Sequence, residues 1–195
     1  MHDDEWDSLN SQIMTCTRCR LSESRTNAVP GEGPVPCPIM MIGEAPGEKE
    51  DQQGRPFVGR AGTVLNRFLE ETGLPRDEVF ITSIVKCRPP KNRDPKEDEI
   101  HSCSGHLDRQ IAHIKPRVIV PMGRFAAGVI FSRFGIGGGK ISEVHGKLFR
   151  GAFDGDEVMI FPVYHPAVVT HNPPLRSELA GDFARLKEML SRINR

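Results

Sequence analysis

Four short apolar runs, each followed by a stretch of helical periodicity, set the order of this chain. The first, residues 39–42, ends on Gly43-Glu44 and leads through a loop to an apolar-periodic segment from Val64 to Leu69. The second, residues 79–85, is dense in β-branched side chains. It is followed by a basic loop and a helix whose start reads Asp94 as N-cap, Pro95 as first helical residue and Glu97 as third. The third, residues 117–122, ends at Gly123 before a helix over 124–134. The fourth, residues 159–164, ends in His165-Pro166-Ala167, and a final helix over 177–193 buries Leu179, Phe183, Leu186, Met189 and Leu190. Upstream of all four, Trp6, Leu9, Ile13 and Met14 fall at helical spacing. Strands alternating with helices predict an α/β domain with a mainly parallel sheet and helices on both faces.

Ligands of such folds bind outside the carboxyl ends of the strands. Those ends carry every unusual segment of the chain: Gly43-Glu44, residues 83–93, Gly123 and His165. The loop over 43–62 combines Glu44, Glu48, Glu50 and Asp51 with several glycines and the aromatic Phe57. Carboxylates and an aromatic on a glycine-bearing loop suit a pocket for a flat polar molecule, and a solvated acidic loop is the plainer alternative. The loop after the second strand places Lys86, Arg88, Lys91 and Arg93 around Cys87. The glycine-rich stretch at 135–140 is no phosphate loop, because Phe134 and Ile141 stand where the pattern needs Gly and Ser or Thr.

Composition narrows the function without naming it. A chain of 195 residues is most simply one domain, and its formal net charge of zero means that nucleic-acid binding must rest on local basic patches. No apolar run approaches the ~20 residues that span a bilayer, so a cytoplasmic protein without a membrane partner, acting as a monomer, is expected. Five cysteines in a reducing compartment point to metal or reactive thiols. Cys16 and Cys19 form a C-x-x-C that closes a helix, unlike a thioredoxin-type motif. With Cys87 and Cys103 they could hold zinc or a [4Fe–4S] cluster, and spacing alone does not choose. Cys37, between two prolines, reads as a small buried hydrophobe.

Taken in order, the C-x-x-C, VPGEGP, GEAPGEKED, GRPFVGRAG, VKCRPPKNRDP, Cys103 and YHPA make the chain resemble the family 4, iron–sulfur uracil-DNA glycosylases over nearly its whole length. The resemblance implies a [4Fe–4S] cluster on Cys16, Cys19, Cys87 and Cys103, and a three-layer sandwich around a four-stranded parallel sheet. It implies that DNA containing uracil or another deaminated base is the partner, with the damaged base taken into a pocket. Phe57 would stack on the base, His165 would donate to the uracil oxyanion, and Glu44 would position water or stabilise the sugar cation. Glu50 would lie beside the base, Asn92 would support catalysis, and Gly43 and Ser83 would line the substrate site. Lys86, Arg88, Lys91 and Arg93 would hold phosphates. A side chain after His165, among Val168, Val169 and Thr170, would enter the base stack. One departure stands out: the family usually has Asn where this chain has Ser83, which puts the strength or breadth of uracil recognition in question. An alternative reading is a catalytically weak iron–sulfur sensor of uracil-containing or abasic DNA.

Overall fold

The computed structural model describes residues 2–193. Its sheet has five strands: β1 (Ile39–Gly43), β2 (Phe80–Ser83), β3 (Val118–Pro121), β4 (Phe149–Phe153) and β5 (Asp156–Ile160), in the order β2-β1-β3-β5-β4. All pairings are parallel except β4 with β5. The expected four-stranded sheet is thus corrected to five, the addition being an antiparallel edge. β4 and β5 form a hairpin across Asp154-Gly155, and β4 alternates half-buried and exposed positions as an edge strand does. Its single phenylalanines among Arg and Gly give no apolar run to read in the sequence.

Nine helices are described: α1 (His2–Met14), α2 (Leu21–Ser24), α3 (Glu48–Gln53), α4 (Arg60–Thr72), α5 (Glu97–Ile114), α6 (Arg124–Arg133), α7 (Ile141–Val144), α8 (Val168–His171) and α9 (Leu175–Ile193). Every residue of β1 is buried, and alternation along it divides the interior. Ile39 and Met41 face a core built with Leu65, Phe68 and Leu69 of α4 and Leu179, Phe183 and Leu186 of α9. Met40 and Ile42 face the opposite core, with Leu107, Ile111 and Ile114 of α5 and Ile130 and Phe131 of α6. A third cluster joins Leu9 and Ile13 of α1 to Leu21, Val85, Cys87 and Cys103. The helices therefore cover both faces, as expected, and α1 closes the end at which the cysteines lie.

α5 starts at Glu97, later than the Asp94 cap that the sequence suggests. Asp94 pairs instead with Arg124 (2.7 Å), and Glu99 accepts from Lys96 N (2.8 Å) to close the first turn. On the other face, fully buried Asp182 accepts from His145 Nδ1 (2.9 Å) and Arg185 (2.5 Å), and the His145 ring lies 4.2 Å from that of Tyr164. This network fastens α9 behind the strand that delivers His165. Among the described residues, no helix is long and apolar enough to cross a membrane.

Phe183 is fully buried, and its ring stacks on Phe68 of α4 at 5.3 Å. Phe183→Ala is expected to cost about 3–5 kcal/mol in unfolding free energy, measured by denaturant titration.

Candidate active site and four-cysteine pocket

The carboxyl ends of β1 and β2 stand level because Gly43 and Ser83 are register partners. The pairing runs past the strands: Ile84 N donates to Gly43 O (2.9 Å) and Val85 N to Glu44 O (3.2 Å). Glu44 and Ser83 thereby share one rim. His165 arrives from the far side. After β5 the chain remains extended, Val163 bridges Met122, and Gly123 N donates to Val163 O (2.8 Å). Gly123 has φ 90°, and a Cβ on it would stand 2.9 Å from the His165 Cβ. Only glycine satisfies both the backbone conformation and the close approach. Between these rims lies a cavity of about 460 Å³, walled by Glu44, Glu50, Phe57, Ser83, Asn92 and His165.

Phe57 forms an aromatic wall, its ring centroid 5.8 Å from that of His165 and inclined at 34°. Its φ of 50° is unusual for a bulky residue, so its surroundings must hold it there. Glu50 does so from one side: its Oε1 accepts from Val58 N (2.9 Å) and Gly59 N (2.8 Å). Arg76 does so from the other, donating to Pro56 O (2.6 Å) and Phe57 O (3.3 Å) while paired with Glu32 at 3.0 Å. Glu50 is therefore an anchor of the Phe57 loop as well as a wall of the cavity. Sequence reasoning missed Glu32 and Arg76. Glu32 had a signal in VPGEGP, whereas nothing in the sequence singles out Arg76. Gly43 keeps the floor open, since a Cβ there would meet Phe57 Cζ at 2.6 Å.

The polar groups are held in defined states. His165 Nδ1 accepts from Ala167 N (3.2 Å), which leaves the ring proton on Nε2. Burial pushes His165 down to about 4, with the Glu50 charge opposing, so the ring is neutral and donates one N–H. Burial, and secondarily Asp94, raises the Glu44 carboxyl above its ordinary value, against the pull of Arg124. Asn92 accepts from Arg88 Nε (2.7 Å) at its Oδ1, which leaves its amide donors to the cavity. Ser83 is 5 % exposed and lines the cavity.

The basic loop divides. Lys86 is not a phosphate contact: it is 1 % exposed, and its Nζ donates inward to Thr82 Oγ1 (2.6 Å) and Ser83 O (2.7 Å). Its aliphatic stem and head follow the strand into the interior, which a run of alternating Lys and Arg cannot reveal. Arg93 grips Glu99 through both nitrogens (2.6 and 2.8 Å). Arg88 lies 3.6 Å from Glu48, while Lys91 is exposed. Beyond His165, Val168 and Val169 pack against the core, and Thr170 and His171 rim the cavity.

Cys16, Cys19, Cys87 and Cys103 line one small pocket with Ile13, Lys86 and His106. Arg25 Nη1 donates to Cys87 Sγ (2.9 Å), and His106 Nε2 is buried there without a protein partner among the described residues. Burial lifts the Cys87 thiol to about 11 and raises that of Cys103. No three His, Cys, Asp or Glu among the described residues are grouped to hold a metal ion, although the four thiols share the pocket. Cys37 lies apart in the α5–α6 core.

The sheet thus offers a flat aromatic wall, a neutral imidazole donor and a half-buried carboxylate at its carboxyl edge. Residues 30–190 match the sequence model of the Uracil DNA glycosylase superfamily, a span that takes in all five strands but not Cys16 or Cys19. Longer matches include both. The chain is 49 % identical to the type-4 uracil-DNA glycosylase of Sulfurisphaera tokodaii, over 95 % of this chain and 85 % of that protein. It is 47 % identical to that of Saccharolobus solfataricus (96 % and 88 %) and 38 % identical to that of Thermotoga maritima (94 % of each). The chain belongs to the type-4 family of the uracil-DNA glycosylase superfamily.

Gly123→Ala is expected to displace the His165 ring and to lower stability by about 1–3 kcal/mol. Denaturation and the shift of the His165 imidazole resonances measure both effects.

Proposed function

We propose that the protein is a monofunctional DNA glycosylase of base-excision repair that hydrolyses the N-glycosidic bond of uracil in single- and double-stranded DNA, leaving an abasic site. The observation that carries this reading is the neutral His165, with its proton on Nε2, facing a base-sized space beside Phe57. As the C1′–N1 bond breaks, negative charge gathers on the departing uracil and positive charge on the sugar. A neutral N–H donor fixed before the reaction stabilises the first without having to be deprotonated or reoriented. Glu44, with its half-buried carboxylate, serves the second by positioning water or by facing the sugar cation. Phe57 stacks on the base, Asn92 presents its amide, and Glu50 keeps the Phe57 loop in place. Lys91 and Arg88 meet phosphates, which makes binding salt-dependent. Thr170, at the cavity rim, is better placed than Val168 or Val169 to enter the stack.

Cys16, Cys19, Cys87 and Cys103 would hold a [4Fe–4S] cluster. Supporting this are the shared pocket, the Arg25 donor on Cys87 and the unpartnered His106 Nε2, all of which suit an anionic, sulfur-rich group. When bound, the cluster supplies a cross-link between α1, β2 and α5 and a fixed negative charge, and takes no part in bond cleavage.

Ser83 sets the base selectivity. A serine has one rotatable hydroxyl, whereas an asparagine offers both a donor and an acceptor to the base edge, a difference of about 1–3 kcal/mol in discrimination. Single-turnover cleavage of DNA carrying one uracil tests the reading. Cleavage by the wild type is expected, with Ser83→Asn faster on uracil and less tolerant of other deaminated bases. Binding without cleavage by both forms would replace the enzyme with a sensor. The pH profile gives a second test. Because burial raises Glu44, the acid limb of the single-turnover rate is expected above the ordinary carboxylate value of 4.5, with loss of rate as pH falls. Glu44→Gln removes that limb. No inflection arises at the ordinary histidine value of 6.5, since His165 stays neutral down to about 4.

A further inference from the structure

Lys86 is buried on every side, yet among the described residues no carboxylate lies within ion-pair distance of it. Its Nζ donates to two oxygens, Thr82 Oγ1 and Ser83 O. Thr82 in turn donates to Pro30 O (2.7 Å), which also receives Gln110 Nε2 (2.7 Å). A buried ammonium with neutral acceptors alone is disfavoured, and a negative charge close by would stabilise it. Lys86 directly precedes Cys87 and lines the small pocket that Cys16, Cys19, Cys87 and Cys103 share, and its backbone also donates to Cys103. Lys86 therefore borders the thiol pocket while its head holds the backbone oxygen of Ser83, a wall of the base cavity. Its own carbonyl accepts from Val29 N (2.7 Å), and Val29 lines the same cavity.

We propose that Lys86 is a positioning residue that couples the four-cysteine site to the base pocket: thiolate-borne negative charge holds its ammonium in the interior, and the ammonium holds the end of β2 on which Ser83 stands. The proposal rests on the cluster assignment above. Without the negative charge, the ammonium has no reason to remain buried, and the Ser83 carbonyl loses its donor. Damage to the cluster then reaches the base pocket through one side chain, with no movement of the sheet as a whole.

Iron and sulfide content of the purified wild type comes first, because a zinc-loaded or metal-free protein would overturn the cluster assignment itself. With the cluster present, the test compares wild type and Lys86→Met. Loss of a buried positive charge disfavours the more negatively charged reduced cluster, so the midpoint potential is expected to move to a more negative value. Amide exchange at Ile84 and Val85 is expected to quicken about tenfold, and single-turnover uracil release to slow by a similar factor, as for the loss of one charge-assisted hydrogen bond. Binding of abasic DNA through the phosphate contacts is expected to stay within about twofold. An unchanged potential, or unchanged exchange at Ile84 and Val85, would overturn the coupling. If Lys86→Met does not fold, wild-type protein bleached by a mild oxidant serves instead. Faster exchange confined to residues around Ser83 supports the link, and exchange unchanged there or raised uniformly over the sheet overturns it.

Discussion

The working edge of this protein depends on the parallel pairing of β1 with both its neighbours. Because Gly43 is level with Ser83 on one side and Ile42 with Pro121 on the other, the three strand ends finish at one height. The chain segments that leave them must therefore meet. Glu44, Ser83 and Gly123 are brought together by backbone hydrogen bonds alone, and His165 joins them through the bridge from Val163 to Met122. A one-residue slip in β1 would exchange Met41 for Met40 between the two cores and turn Gly43 away from Phe57.

Around that edge, the buried charges are all engaged, but by different means. Glu50 is satisfied by two backbone amides, Glu99 by Arg93 and Lys96 N, and Asp182 by His145 and Arg185. Each fixes a segment that the apolar core alone leaves free: the Phe57 loop, the start of α5, and α9 behind Tyr164. Lys86 differs in having oxygen acceptors without a carboxylate, and this exception ties the thiol pocket to the base cavity. In His165, by contrast, burial works toward function, since a neutral ring with its proton on Nε2 is the state that donates to a forming anion.

Much of this was legible before any coordinates. The apolar run at 39–42, the β-branched run at 79–85 and the helical stretches gave the α/β class, because burial on two faces demands continuous apolar strands. The ordered motifs placed Glu44, Phe57, Ser83, Asn92 and His165, and these residues do share one cavity. The β4–β5 hairpin was not legible, since the edge strand β4 alternates half-buried and exposed positions and β5 opens on the exposed Asp156 and Glu157. The start of α5 slipped because Asp94 found a distant arginine in place of its local cap.

The sequence by itself determined which residues are present at the strand ends and, through their spacing, that they lie on one edge of a sheet. Local periodicity and turn chemistry suffice for that, because they act over a few neighbouring residues. Only the tertiary structure decided what each charge meets. Lys86 and Lys91 stand in the same basic loop, yet one is buried against Thr82 and Ser83 and the other is exposed to solvent. Likewise Glu50, one of four acids in its loop, is the one turned onto Val58 and Gly59. Side-chain burial depends on contacts between segments far apart in the chain, and no local pattern carries that information.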